Sequence, residues 1–363
     1  VPFSARSNRP AWRRVAPVKA PASCPNSSLS RSSSASAAQF NLTNGPSQRG
    51  ERKCTRAAIS SLPEPRSPQI SSGLLSAAGC AEAARGQAIL TAESGSLGFA
   101  AAWAVQVLTP LALEHFAGLP APLRGGLADG TVRLALAVSE PQRGAHPKYL
   151  RTAARPVPGG WLLNGEKTFV TNGPQATHLA LIAVTAEEAG RKQFSCFLVP
   201  TETPGLARVD LPPLDFYLPA QHCGFRLQDC FMPAEALLGP AGAAFSGLAL
   251  PFRSLEDATS AGSLAAAVHF CAQSLAQRQS ADCDADTAAL LGELAAIETA
   301  TQALLPPLLQ ALAAWTAGSQ DAGLHLAAVH SLTRQALELL RRLPRQDEDS
   351  QRWLHDLEKS FSI

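Results

Sequence analysis

The chain has 363 residues, 46% apolar and 17% charged, with a net charge of +2; these values describe a globular protein able to bury a large core as about two or three compact units. Residues 1–60 hold ten Lys/Arg and one acid, Glu51, and so net +9, which leaves −7 for the remainder. An acidic body excludes general nucleic-acid binding, which needs a basic face, and no run of about 18 uncharged apolar residues marks a membrane span.

Residues 1–72 are rich in Ser, Arg and Pro and carry no helical or strand period. Such a segment buries too little apolar area to offset its chain entropy, and disorder is expected. Three readings stay open: an Arg/Ser-rich organelle transit peptide, a basic tail for an acidic partner, or an over-extended gene start. The chain begins with Val and holds one Met, Met232, so the start is unmarked. The cytoplasm is the expected compartment, with an organelle matrix as the alternative if this segment is a transit peptide. Asn26 and Asn41 open glycosylation sequons with no secretory apolar core before them.

Residues 73–130 are Ala/Leu-rich at helical spacing and predict helices, with Pro110 expected to kink or break the second. Residues 131–238 hold short β-branched and aromatic runs separated by Gly, Pro and Asn turns, which predict one small barrel or sandwich. Gly159-Gly160 is a hairpin-turn candidate. Residues 239–363 return to i, i+3, i+4 apolar spacing and predict an antiparallel bundle of about four helices, broken or kinked at Pro306-Pro307. The eight cysteines have no C-x-x-C spacing, so no metal site is expected and buried free thiols are the better reading.

Two runs inside the β region carry chemistry. Ser139-Glu140-Pro141 closes the alternating run from Leu134, and Asn164-Gly165-Glu166-Lys167-Thr168 leads into Phe169-Val170-Thr171-Asn172-Gly173. At this spacing they resemble the middle β-domain of the acyl-CoA dehydrogenase family, which typically reads T-E-P-x-x-G-S-D and then L-N-G-x-K-x-W-I-T-N-G. Met232-Pro233-Ala234-Glu235 before Leu237-Leu238-Gly239, with Gly242 and Phe245, continues the likeness. The resemblance covers roughly residues 73–363. It implies an α+β fold with a partial N-terminal helical domain, a central β-domain, and a C-terminal bundle expected to be truncated.

It also implies an FAD-dependent oxidoreductase acting on the CH–CH bond of acyl-CoA or another acyl thioester, with hydride passing to flavin and the α-proton to a carboxylate. A homodimer or homotetramer and an electron-transfer partner are implied as well. The flavin wall would comprise Val138, Ser139, Phe169 and Thr171, and the phosphate grip Gly144 and Ala145. Arg143, His146 and Lys148 either reinforce that grip or form a solvated basic loop. Arg253 would lie near the substrate, and Arg278 would reach a partner subunit's flavin pyrophosphate. An aromatic-Gly pair after Arg278 is replaced by Gln279-Ser280-Ala281, and a Gly-Gly pair near Leu340-Arg341 is absent.

The family's base stands either just before the Arg of the first bundle helix, which is Phe252 here, or in a Glu-Gly motif. The register places that Glu immediately after Ile363, so the chain either continues or lacks this base. Glu256 and Asp257, one turn from Arg253, are the substitutes within reach; each is either the base or a solvated or Arg-paired acid. An impaired member that binds FAD or acyl-CoA, or acts as a scaffold, is the alternative function.

Overall fold

In the computed structural model, residues 79–278, 284–313, 320–344 and 348–360 are described. The leader reading for residues 1–72, Cys24, Cys54, Cys283 and the Gln279-Ser280-Ala281 run all lie outside the described residues. Three helices open the described chain: α1 (Gly79–Ser94), α2 (Leu97–Ala117) and α3 (Ala121–Asp129). The Ser96 hydroxyl caps α2 by accepting the Phe99 N–H, and so supplies an acceptor to one of the orphan donors of the first turn. Helix α2 runs on through Pro110, where a kink or break is expected; eleven of its residues, Pro110 among them, are buried, so tertiary packing holds the turn that loses a donor.

The β region folds into one eight-stranded sheet ordered β6-β7-β3-β2-β4-β5-β8, with β1 (Leu134–Ala137) parallel to β4 (His178–Glu188). β2 (Ala153–Val157) and β3 (Gly160–Thr171) form a hairpin whose turn places Gly159 at φ 81°, where a Cβ is unfavourable. β5 (Arg191–Pro200), β6 (Leu206–Asp210), β7 (His222–Pro233) and the short β8 (Leu237–Leu238) complete the sheet. Alternation sends Leu163, Val170, Leu181 and Phe197 to one core, and Leu134, Ala180, Ile182 and Cys196 to another shared with Leu113 of α2 and Leu123 of α3. The sheet is thus buried on both faces over much of its length, and the described cysteines 80, 196, 223, 230 and 271 are buried free thiols.

A π-helical turn, Phe245–Ala249, leads into α4 (Leu250–Arg278). It is followed by α5 (Ala285–Ala313), α6 (Gln320–Arg342) and α7 (Glu348–Ser360). α4 lies close against α1 because the contact is made of small residues, Ala81 and Ala84 facing Ala258, Ala261 and Ala265. A Cβ on Gly262 would stand 3.2 Å from the Ala84 carbonyl. α5 also continues through Pro306-Pro307 instead of breaking there; Pro306 is exposed, so water can take carbonyls left without donors. Among the described residues, two helices are long and apolar enough to cross a membrane by length and composition, Leu97–Ala117, 67% buried inside the fold, and Ala285–Ala311, 17% buried.

Candidate active site

The ends of β1 and β3 meet at a buried ion pair. Lys167 is fully enclosed, and its ammonium donates to the Val138 carbonyl at 2.9 Å and to Glu140 Oε1 at 3.1 Å. Glu140 also accepts the backbone N–H groups of Arg151 at 2.7 Å and Thr152 at 2.9 Å. Burial alone would push the Glu140 carboxyl up; Lys167 and the Thr152 and Arg151 donors overcome this and hold it below its ordinary value. Burial likewise draws the Lys167 ammonium down, with Glu140 opposing. A buried charge left alone is expensive, so each side chain requires the other. The Thr168 N–H donates to the Ser139 carbonyl at 2.9 Å, which ties the two strand ends together.

This anchor carries the predicted wall. The ladder between β3 and β7 slips between Lys167 and Val170, and the bulge turns Phe169 outward, 55% exposed at φ 50°. A bulged aromatic residue in the left-handed region is strained by about 1–3 kcal/mol, and such strain clusters where a ligand is met. Ser139 and Thr171 are half-buried, and neither hydroxyl has a hydrogen-bond partner among the described residues. Val138 is partly buried against the helix-side core. Gly144 (φ 58°) and Ala145 sit exposed at the tip of a turn closed by reciprocal Glu140–Gly144 backbone bonds. His146 and Tyr149 stack at 5.0 Å beside Lys148 in the same loop.

A strap between β6 and β7, residues 211–221, links this wall to the helices. The Asn172 N–H donates to Gln221 O at 2.9 Å, and the Asn172 side chain donates to Ala102 O of α2 at 2.7 Å. Further along, the Tyr217 N–H donates to Asp356 of α7 at 3.0 Å, its hydroxyl to Ser360 at 2.6 Å, and Ser96 to Leu218 O at 3.0 Å. The Tyr217 phenol is raised by burial first, with the Ser360 bond opposing and the charges of Asp356 and Glu256 adding to the rise. Glu256 therefore lies within electrostatic reach of the strap.

Glu256 is exposed on α4, next to Asp257 and one turn from Arg253. Desolvation by the protein around it raises its carboxyl to about 7; Asp257 adds to the rise and Arg253 opposes it. Solvent screens the charge pairs, so desolvation sets the direction. Asp257 is the acid that takes Arg253, at 3.4 Å across one helical turn, which leaves Glu256 without an ion pair among the described residues. Phe252 is 8% exposed and packs with Leu108, Leu111 and Leu255, as a core residue. Arg278 ends α4, about 37 Å along the helix from Arg253 at 1.5 Å per residue, and its side chain lies outside the described residues. At the positions where the resemblance implies a Gly-Gly pair, Leu340 is buried against α7 and Arg341 pairs with Glu338 and Glu358.

Ser139 thus lies next to β3 through the Thr168–Ser139 backbone bond, Phe169 and Thr171 follow on that strand, Asn172 ties its end to the strap, and Tyr217 of the strap feels the charge of Glu256. Sequence reasoning missed Lys167 as the anchor and Tyr217 as the link. A lysine between the inward positions Leu163 and Val170 of an apolar strand was the available signal for the first. The second had none, because it depends on where α7 docks.

Three helices, a single sheet and a helical bundle make up an acyl-CoA dehydrogenase-like fold among the described residues. Residues 135–230 match the family described as acyl-CoA dehydrogenase, middle domain. Over 125 residues the chain is 32% identical to the acyl-CoA dehydrogenase FadE12 of Mycobacterium tuberculosis, covering 34% of this chain and 32% of that protein. It is 32% identical over 117 residues to L-prolyl-(peptidyl-carrier protein) dehydrogenase of a Serratia species, covering 32% and 30% respectively. These matches span about a third of the length of the curated relatives. Among solved structures, an FAD complex of PigA aligns at TM-score 0.68 and 18% identity over 77% of both chains. The butyryl-CoA dehydrogenase of Megasphaera elsdenii aligns at TM-score 0.60 and 20% identity over 73% of this chain and 74% of that one. The sequence match to the acyl-CoA dehydrogenase family lies in the β-domain, and the likeness over the rest of the chain is one of fold.

Proposed function

We propose that the chain is a flavin-dependent oxidoreductase acting on the CH–CH bond of an acyl thioester. The observation that carries this reading is the pair of unpartnered hydroxyls, Ser139 and Thr171, beside the outward Phe169 ring and within the matched middle domain. Hydroxyls without protein partners and an exposed ring suit a flat heteroaromatic group with hydrogen-bonding edges, and FAD fits that donor set. When bound, the flavin would supply hydride acceptance from the β-carbon of the acyl group. Ser139 and Thr171 orient the ring, Phe169 covers it, and the Lys167–Glu140 pair holds the strand ends in place. Gly144 and Ala145, with the neighbouring Arg143, His146 and Lys148, take the pyrophosphate side. Glu256 is the candidate base: a carboxyl raised to about 7 is poised to accept an α-proton near neutral pH. Arg253 lies one turn away on the same helix, and Arg278 is the candidate contact to a partner subunit's flavin, in keeping with a homo-oligomer. The relatives' names cover both CoA and peptidyl-carrier-protein thioesters.

The test is an absorbance spectrum from about 300 to 550 nm of the protein loaded with FAD, before and after a panel of acyl thioesters. Bleaching of the flavin band by one thioester supports the reading. Protein that takes up no FAD refutes it. A band that shifts without bleaching supports the impaired-member reading, which the burial of Phe252 at one of the family's two base positions favours.

A further inference from the structure

We infer that His222 is a further hydrogen-bonding residue of the flavin wall, acting beside Thr171 on the same bound group. This rests on the reading proposed above. Val170 pairs with Cys223 and Thr171 with His222 across β3 and β7. Directly opposed residues of an antiparallel pair point to the same face, with Cβ atoms about 4.5–5.5 Å apart. Val170 and Cys223 are both 1% exposed and belong to the inner core of the sheet. Alternation therefore turns Thr171 and His222 together to the opposite face.

On that face the two side chains share an unusual condition. Both are half-buried, and neither the Thr171 hydroxyl nor the His222 ring has a hydrogen-bond partner among the described residues. A half-buried imidazole without a partner forfeits hydrogen bonds unless a ligand or water supplies them. By contrast His178, also half-buried on this sheet, bonds to the Thr177 hydroxyl at 3.0 Å. Burial holds the His222 ring below its ordinary value, so near neutral pH it is uncharged and offers one donor and one acceptor. That pairing matches the edge of a heteroaromatic ring, which carries both kinds of group.

His222 is also placed by its neighbours. It begins β7 immediately after Gln221, whose carbonyl takes the Asn172 N–H, so it stands at the foot of the strap that carries Tyr217 towards Glu256. The candidate wall thus comprises Ser139 at the end of β1, Phe169 and Thr171 on β3, and His222 on β7.

The test titrates the full chain with FAD, following flavin fluorescence and the imidazole resonances of the eight histidines in a labelled sample. The variants are His222→Ala, His222→Gln, Thr171→Val and, as a control, His178→Gln. Loss of one such hydrogen bond corresponds to roughly a 3- to 15-fold rise in Kd. His222→Ala is expected to show that rise, His222→Gln to recover part of it, and His178→Gln to leave Kd unchanged. The His222 resonance is expected to move on FAD addition while that of His178 stays. If Thr171→Val weakens FAD but His222→Ala does not, and the His222 resonance stays fixed, the inference is overturned while the flavin-wall reading stands. If the unaltered chain binds no FAD, the flavin-wall reading itself fails and this inference with it.

Discussion

Lys167→Met removes the charge at the base of the wall while keeping most of the length of the side chain. Lys167 is 2% exposed and donates to Glu140 at 3.1 Å and to the Val138 carbonyl at 2.9 Å. Breaking a buried ion pair from one side costs about 3–5 kcal/mol, since the remaining charge stays buried. Glu140 keeps the Arg151 and Thr152 donors at 2.7 and 2.9 Å, which places the expectation near the lower end, about 3 kcal/mol. That is a large share of the roughly 5–15 kcal/mol by which domains are stable. Urea unfolding followed by circular dichroism and tryptophan fluorescence measures it, and a cycle with Glu140→Gln isolates the pair. The expected coupling is about 1 kcal/mol or more, because contacting groups in one network are not additive. A Lys167→Met protein within about 0.5 kcal/mol of the original, or additive single and double variants, would refute the account of the anchor.

Acid should reveal the same pair: the folded Glu140 carboxyl lies below its ordinary value, so its stabilisation is complete above the unfolded carboxylate range, near 4.5, and is lost as pH falls through the folded value. Unfolding midpoints measured from pH 7 down to 3 should drop more steeply for the original chain than for Glu140→Gln. Glu256→Gln should abolish flavin bleaching by thioester and leave the Kd for FAD within about 2-fold, since the amide keeps the size of the carboxyl. In the unaltered chain kcat/KM should rise with pH through about 7, where Glu256 loses its proton, and a flat profile would count against Glu256 as base. Ser139→Ala and Thr171→Val should each raise the Kd for FAD by roughly 3- to 15-fold with less than about 0.5 kcal/mol change in stability, because their hydroxyls have no described protein partner. Gly98→Ala should destabilise by about 1–3 kcal/mol or more in thermal unfolding, because the added Cβ falls 2.0 Å from the Tyr217 carbonyl.

The local pattern of residues 134–173 carried the resemblance to the matched middle domain and the flavin-wall candidates, because strand alternation and the Gly and Asn turns fix which hydroxyls end which strands. Ala/Leu periodicity likewise marked helices on both sides of the sheet. The pattern was less informative where packing overrode local preference. Pro110, Pro306 and Pro307 read as breaks or kinks, and their helices continue through all three, since burial of α2 and solvent access along α5 compensate for the missing donors. Lys167 and Glu140 stood in the quoted motifs, but their union across 27 residues follows from the meeting of β1 and β3. Asp257 and Glu256 are adjacent and alike in sequence; helix phase gives Asp257 to Arg253, and desolvation raises the Glu256 carboxyl. The His222–Thr171 pairing depends on a bulge that shifts the β3–β7 register. Sequence therefore determined what is local: strand ends, turns and helix faces. The tertiary structure decided which charges are desolvated and which side chains share a face, because both depend on contacts between segments far apart in the chain.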